Sequence, residues 1–330
     1  MTIQERLNHA AELLRAHDDF MLLTHIRPDG DTLGSAFALR EALEQLGKRA
    51  FVANDGDITP KYAYLNGGSC KLERPFEPAY VVSVDVASTE LLGATYRDLP
   101  VDLVLDHHRS GRISGRDESV VCEQYAAAGE LIYELLELLN VRITEKIAQM
   151  LYTAIATDTG CFKFSNTTAH THRVAASLLE PGYSMSEINQ RLFMTKSRQR
   201  VEIEAEAYKT LRFYEDGAVA SVYVTLEMKE RFRADEDDID ELSSIPRSIE
   251  GVEVGIAIKQ VGPEEYKISL RSNGKVDASK VCGVFGGGGH LRAAGCTLTG
   301  ELEDVERRIS QASSREYRAV YQSERNSSNS

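Results

Sequence analysis

Two short aliphatic runs, Tyr80-Val81-Val82-Ser83-Val84 and Val101-Asp102-Leu103-Val104-Leu105, each pass directly into an aspartate, Asp85 and Asp106. Runs this short and this rich in valine and leucine fit strands buried on both faces. A third candidate strand, Phe20-Met21-Leu22-Leu23, leads into a loop punctuated by Pro28 and Gly30. Beyond it Ala36, Leu39, Leu43 and Leu46 recur at helical spacing until Gly47 ends the pattern. Further helical patterns occupy Glu130 to Leu139 and Glu145 to Ala156. Strands alternating with helices predict an α/β fold whose N-terminal sheet is mostly parallel and carries helices on both faces. In such folds the ligand crevice forms from loops at the carboxyl ends of strands, where Asp85 and Asp106 lie.

The 330 residues are enough for two cores of ordinary size. Residues 1–185 form the first expected domain and 186–215, polar and free of Gly and Pro, a helical connector. Residues 216–311 then read as a smaller second α/β domain, with strands at Val219 to Leu226, Val252 to Ile258 and Tyr266 to Leu270. Residues 312–330 are expected to be a C-terminal tail, disordered from Ser323 because its composition is polar. The segment Asp235 to Glu241 carries six acids in seven residues and reads as a solvated loop or helix start.

Thirty-eight Lys plus Arg against 51 Asp plus Glu leave a formal charge of −13. Binding along a long nucleic acid requires many Lys or Arg contacts to phosphate, so this balance argues against long polymers. Small substrates and divalent cations remain open. No apolar run approaches the ~20 residues that cross a bilayer, and the first fifteen residues show no secretory pattern. Five cysteines without C-x-x-C spacing fit neither a disulfide framework nor a structural zinc site, so a reducing cytoplasm is expected.

The densest polar cluster is Thr24-His25-Ile26-Arg27-Pro28-Asp29-Gly30-Asp31. Two carboxylates brought to a common point by a flexible glycine repel one another, and a divalent cation removes that repulsion. The same residues also suit a strand-to-helix turn with Asp31 or Thr32 as N-cap. Asp85, Asp106-His107-His108 and Asp158-Thr159-Gly160 add three more Asp and His clusters to the same half of the chain. Four such clusters in one predicted sheet exceed what helix capping requires. Mixed imidazole and carboxylate ligands without thiolate favour manganese or magnesium, with iron, cobalt or zinc as alternatives. Four aspartates and two histidines suffice for two ions about 3.5–4 Å apart, the arrangement used to attack phosphate esters.

These residues resemble the DHH-family phosphoesterases that carry a C-terminal DHH-associated domain, in the bacterial nanoRNase and pAp phosphatase branch. The resemblance runs from about Leu22 to Leu298. It rests on His25-x-x-x-Asp29-Gly30-Asp31 with Gly34-Ser35, on Asp85, Asp106-His107-His108 and Asp158-Thr159-Gly160, on Phe162 and Phe164-Ser165-Asn166-Thr167, and on the glycine run ending in His290. It implies that His25, Asp29 and Asp85 hold one ion and that Asp31, Asp85, His107 and Asp158 hold the other, with Asp85 bridging. His108 would bind phosphate or transfer a proton, and Asp106 would orient an imidazole. Arg271, Asn273, Gly288, Gly289 and His290 become substrate-site candidates facing the metals across an interdomain cleft, and Arg109 a further phosphate contact. The bare residues allow ordinary turns at the glycine run and at Asn273-Gly274.

The implied function is hydrolysis of short oligoribonucleotides to mononucleotides, and of 3′-phosphoadenosine 5′-phosphate to AMP, by a hydroxide activated between two divalent cations. Mn2+ is expected first, then Mg2+ or Co2+. A cyclic di-AMP or linear dinucleotide phosphodiesterase shares this chemistry, and a nucleotide-binding regulator without activity is the rival from another class. Substrates would be short single-stranded oligoribonucleotides and small nucleotides, with no long duplex and no membrane as partners. A homodimer is implied by the resemblance alone.

Overall fold

The computed structural model describes residues 1–108, 111 and 113–327. They form two compact units, Met1–Thr195 and Lys196–Ser330. In the first unit the order is α1 (Ile3–Ala16), β1 (Phe20–Leu23), α2 (Gly30–Gln45), β2 (Ala50–Ala53), β3 (Tyr80–Val84), α3 (Gly93–Tyr96), β4 (Leu103–Asp106) and β5 (Glu118–Val121), then α4 (Ala128–Leu138), α5 (Glu145–Asp158), α6 (Ala169–Leu179) and α7 (Met185–Asn189). The five strands pair in parallel in the order β2-β1-β3-β4-β5, in a register that sets Leu22 beside both Val52 and Val82. The chain therefore reverses its winding between β1 and β3, the switch point at which doubly wound sheets open a crevice.

Alternation along each strand divides the core. Phe20, Leu22, Val52, Val82, Val84, Leu103 and Leu105 pack with residues of α1, α2, α4 and α5. Met21, Leu23, Phe51, Ala53, Val81 and Val104 face a second cluster that includes Leu92, Val101 and, at its margin, Phe76 and Tyr96. α1 buries Leu7, Ala10, Ala11 and Leu14 at helical spacing, and the Thr2/Glu5 capping box fixes its start. α2 is buried along most of its length, and small residues let its neighbours come close. A Cβ on Gly34 would lie 2.4 Å from Met150 O and 3.1 Å from Ala154 Cβ, so α2 and α5 touch backbone to backbone there. Gly129 of α4 closes on the same stretch, its absent Cβ 2.7 Å from Ala154 Cβ.

The second unit contains α8 (Arg198–Lys209), β6 (Arg212–Tyr214), β7 (Val219–Val224), α9 (Leu226–Phe232), α10 (Ser244–Arg247), β8 (Val254–Gly262), β9 (Glu265–Ser272), α11 (Ala278–Gly283), β10 (Gly288–His290), β11 (Ala293–Thr299) and α12 (Leu302–Ser327). Its six-stranded sheet runs β10-β11-β9-β8-β7-β6, parallel only between β7 and β8. One face packs with α11 and α12, the other with α8, α10 and the turn at Asp237–Ser243.

Both units are α/β, as the strand and helix patterns predict. Residues 186–215 are shared out: α7 and the π-helical turn Gln190–Met194 belong to the first unit, whereas α8 and β6 belong to the second. The C-terminal segment departs from expectation. α12 continues through Ala312, Tyr317 and Tyr321, all of which pack on the sheet core, so the helix carries the polar residues up to Ser327 instead of releasing a disordered tail. Ser328 to Ser330 lie outside the described residues.

Candidate metal centre

The carboxyl ends of β1, β3 and β4, the start of α2 and the end of α5 bring the first-unit candidates together. His25, Asp29 and Asp85 form one group of ligand atoms within 4.8 Å of one another, Asp31, His107 and Asp158 a second, and Asp85, His107 and His108 a third. His107 Nε2 stands 3.6 Å from Asp31 Oδ2, 3.4 Å from Asp85 Oδ1 and 3.3 Å from Asp158 Oδ2. His25 Nε2 is 3.8 Å from Asp29 Oδ1.

Each side chain has a local reason for its position. Asp29, rather than Asp31 or Thr32, caps α2: its Oδ1 accepts from the N–H groups of Asp31 at 3.0 Å and Thr32 at 3.1 Å. A Cβ on Gly30 would meet Thr157 Oγ1 at 2.5 Å, so glycine lets the turn press against α5. Thr32 Oγ1 donates to Val84 O at 2.8 Å and ties α2 to the end of β3. Asp31 is completely buried and accepts from Ala128 N at 2.6 Å, Gly129 N at 2.9 Å and Ser35 Oγ at 3.0 Å. Two of these donors are the first N–H groups of α4, whose positive helix end favours a carboxylate. Asp85 follows β3 with φ at +58°, a left-handed conformation that costs a non-glycine residue about 1 kcal/mol or more. Its N–H donates to Leu105 O at 2.9 Å, which holds the bend against β4.

Asp106 braces the adjacent pair. Its Oδ1 accepts from the backbone of His107 at 2.8 Å and of His108 at 3.1 Å, and from His108 Nδ1 at 2.9 Å. His107 is oriented by the Tyr125 carbonyl, 3.2 Å from Nδ1. A carbonyl can only accept, so Nδ1 carries a proton and the ring turns Nε2 toward the aspartates.

Electrostatics show what the cluster lacks. Burial, together with the charges of Asp85, Asp158 and Asp29, pushes the Asp31 carboxyl well above its usual range despite the Ala128 N–H. Burial and the charges of Asp29 and Asp85 push Asp158 up to about 8. Asp106 and Asp85 raise His108 to about 11, against the effect of burial. Burial opposes charge on His25, but Asp29 and Asp85 raise it overall. Asp85 Oδ1 and His107 Nε2 are buried 3.4 Å apart with no well-formed hydrogen bond, and His108 Nδ1 stands 3.3 Å from the same Asp85 oxygen. Buried carboxylates and an imidazole nitrogen this close together call for an ion or a proton. Donors of hard oxygen and imidazole nitrogen fit divalent cations, and the residues present suit that group chemically.

Other candidates lie in the second unit. Gly288, Gly289 and His290 form the exposed edge strand β10, and Gly289, at φ +146°, passes so near β11 that a Cβ would sit 2.5 Å from Ala293 O. Arg271 lies on β9, where burial and the nearby Arg247 lower its pKa, and its Nη1 donates to Leu270 O at 3.1 Å. Asn273 Nδ2 donates to Arg247 O and Val252 O, both at 2.9 Å, so its N–H donors brace the backbone and are not free for a base or ribose. Arg109 lies outside the described residues. Ser35 and the N–H groups of Ala128 and Gly129 were not anticipated as partners of Asp31; a serine one helical turn after the aspartate was the only available sequence signal. His170 stands 3.3 Å from Glu134 and 3.6 Å from Glu130 and stacks on Tyr125.

Residues 19–155 match the DHH family, N-terminal domain, and residues 216–316 match the DHHA1 domain. The chain is 33% identical over 316 residues, covering 93% of both sequences, to the bifunctional oligoribonuclease and PAP phosphatase NrnA of Thermus thermophilus. It is 27% identical to the protein of the same name from Bacillus subtilis, over 87% of this chain and 92% of that one. An exopolyphosphatase-related protein from Bacteroides fragilis shares the fold with a TM-score of 0.85 and 22% identity, over 94% of this chain and 96% of the other.

Proposed function

Because this chain belongs to the DHH family, with a DHHA1 domain after its N-terminal domain, and is a phosphoester hydrolase, we propose that it hydrolyses short oligoribonucleotides to mononucleotides and 3′-phosphoadenosine 5′-phosphate to AMP. The names of the Thermus and Bacillus relatives support those substrates. The observation that carries a metal-dependent reading is the convergence of buried Asp85 Oδ1 and His107 Nε2 with the mutually repelling Asp31 and Asp158.

His25, Asp29 and Asp85 would hold one divalent cation, and Asp31, Asp85, His107 and Asp158 another, with manganese the first choice and magnesium or cobalt next. Such ions lower the pKa of a bound water and neutralise charge on phosphoryl oxygens. Around them the protein supplies orientation. Ser35 and the N-terminal turn of α4 favour the Asp31 carboxylate and point it inward, and the Tyr125 carbonyl fixes the His107 tautomer. His108, whose charged form Asp106 and Asp85 favour and which is anchored through Nδ1 on Asp106, leaves Nε2 to meet a phosphoryl oxygen or to give a proton to a leaving alkoxide. In the second unit, Arg271 and His290 are proposed to bind a substrate phosphate.

The test is release of AMP from 3′-phosphoadenosine 5′-phosphate and of mononucleotides from a five-residue RNA, with manganese, before and after Asp85→Ala. Turnover is expected to vanish in the variant, and undiminished turnover would refute the metal reading. Initial rates on a linear dinucleotide and on cyclic di-AMP complete the comparison. A strong preference for the cyclic substrate would refute the proposed substrate class.

A further inference from the structure

Asn166 stands outside the candidate ligand set, yet its side chain joins the end of α5, which carries Asp158, to the segment whose backbone holds His107 and Asp31. Its Nδ2 donates to Asp158 O and to Ala126 O, each at 3.1 Å. An amide nitrogen has two hydrogens, so both contacts are made at once. Asp158 is the last residue of α5, where backbone carbonyls have lost their helical donors, and Asn166 supplies one. Ala126 follows Tyr125, whose carbonyl accepts from His107 Nδ1, and precedes Ala128 and Gly129, whose N–H groups hold Asp31. Residues 125–129 thus form one short segment that presents a carbonyl to His107 at one end and two N–H groups to Asp31 at the other.

We propose that Asn166 is a positioning residue for the metal centre: it clamps the segment that orients His107 and Asp31 to the end of the helix that bears Asp158. Lost clamping would let these two supports drift apart, and metal coordination tolerates misplacement of only about 0.2 Å. Partners that orient ligands from behind typically change metal affinity by ~10–100-fold when removed. Asn166 acts through the two backbone carbonyls it joins, so substrate affinity should be untouched.

This inference rests on the metal reading, and direct ion binding separates the two. Manganese is titrated calorimetrically into the metal-stripped full chain as wild type, Asn166→Ala and Asn166→Leu, the last filling the space without donors. The thermal midpoint of each ion-free protein is recorded, with kcat and KM for 3′-phosphoadenosine 5′-phosphate at saturating manganese. Both variants should bind manganese roughly 10–100-fold more weakly, with KM within about twofold of wild type and an unchanged ion-free midpoint. Affinity equal to wild type in either variant overturns the clamp, as does a loss of affinity that merely accompanies a lower ion-free midpoint. A raised KM with unchanged manganese affinity would make Asn166 a substrate contact and also overturns it. Failure of the wild type to bind manganese would instead refute the reading of the centre.

Discussion

Gly34→Ala tests whether helix packing sets the geometry of the metal centre. The new methyl would lie 2.4 Å from Met150 O, 3.0 Å from Ala154 N and 3.1 Å from Ala154 Cβ. Two of the three obstacles are backbone, so relief requires α2 and α5 to separate by about 1 Å in a close-packed interior. Overpacking of this kind costs ~1–3 kcal/mol, and alanine regains up to about 1 kcal/mol through its better helix propensity. A net loss of ~1–2 kcal/mol should lower the thermal midpoint by roughly 2–8 °C for a unit of this size. The movement also reaches the ligands, because Asp31 lies one turn before Gly34 on α2 and Asp158 one turn after Ala154 on α5. Displacement of about 1 Å exceeds the ~0.2 Å tolerance of a metal site, so manganese affinity should fall at least ~10-fold. Differential scanning calorimetry and manganese titration read the two effects. Gly283→Ala is the control, because a Cβ there meets nothing within 4 Å. If Gly34→Ala left both the midpoint and manganese affinity at wild-type values, the argument that this crossing spaces the ligands would be wrong.

In the metal-free protein, Asp31 and Asp158 titrate above their unfolded values, Asp158 up to about 8. The folded chain therefore holds more protons than the unfolded chain between about pH 4 and pH 8, and this contribution to stability is lost as pH rises through that window. Urea unfolding in EDTA should show the decline. Manganese should reverse it by displacing the protons, so its affinity should tighten by up to about tenfold per pH unit for each proton released; a pH-independent affinity would contradict the assignment. Ser35→Ala removes one of the three donors to the buried Asp31 carboxylate. It should cost ~1–2 kcal/mol of stability in the ion-free protein, measured by urea unfolding, and no change would show that the two α4 N–H groups suffice.

Much of the first unit was legible because its strands are short and apolar on both faces, and the observed β1 and β3 occupy the expected residues. β2, β5, β10 and β11 carry weaker local patterns, and pairing with neighbours distant in sequence selects them. The C-terminal polar residues misled for a related reason. Composition alone favoured disorder, whereas Tyr317 and Tyr321 find a sheet to pack against and extend the helix.

The choice of side chains was settled by chemistry that a sequence displays directly. Aspartate and histidine at several strand ends, separated by glycine and without thiolates, leave few uses besides binding hard cations. The sequence also determined that winding would alternate strand with helix. Only the tertiary structure decided which of these groups meet. The order β2-β1-β3-β4-β5 sets β1 beside β3 and β3 beside β4, and so gathers His25, Asp85 and His107 from separate stretches of chain. Backbone groups have no signature in a residue code, so the Tyr125 carbonyl behind His107 and the α4 N–H groups on Asp31 were visible only once folded. The same holds for Asn273, whose donors the fold engages internally, and for Asn166, whose amide matters for the two carbonyls it joins. Side-chain identity limits the reactions a residue can support, whereas distance and the partners already bound decide which it can perform.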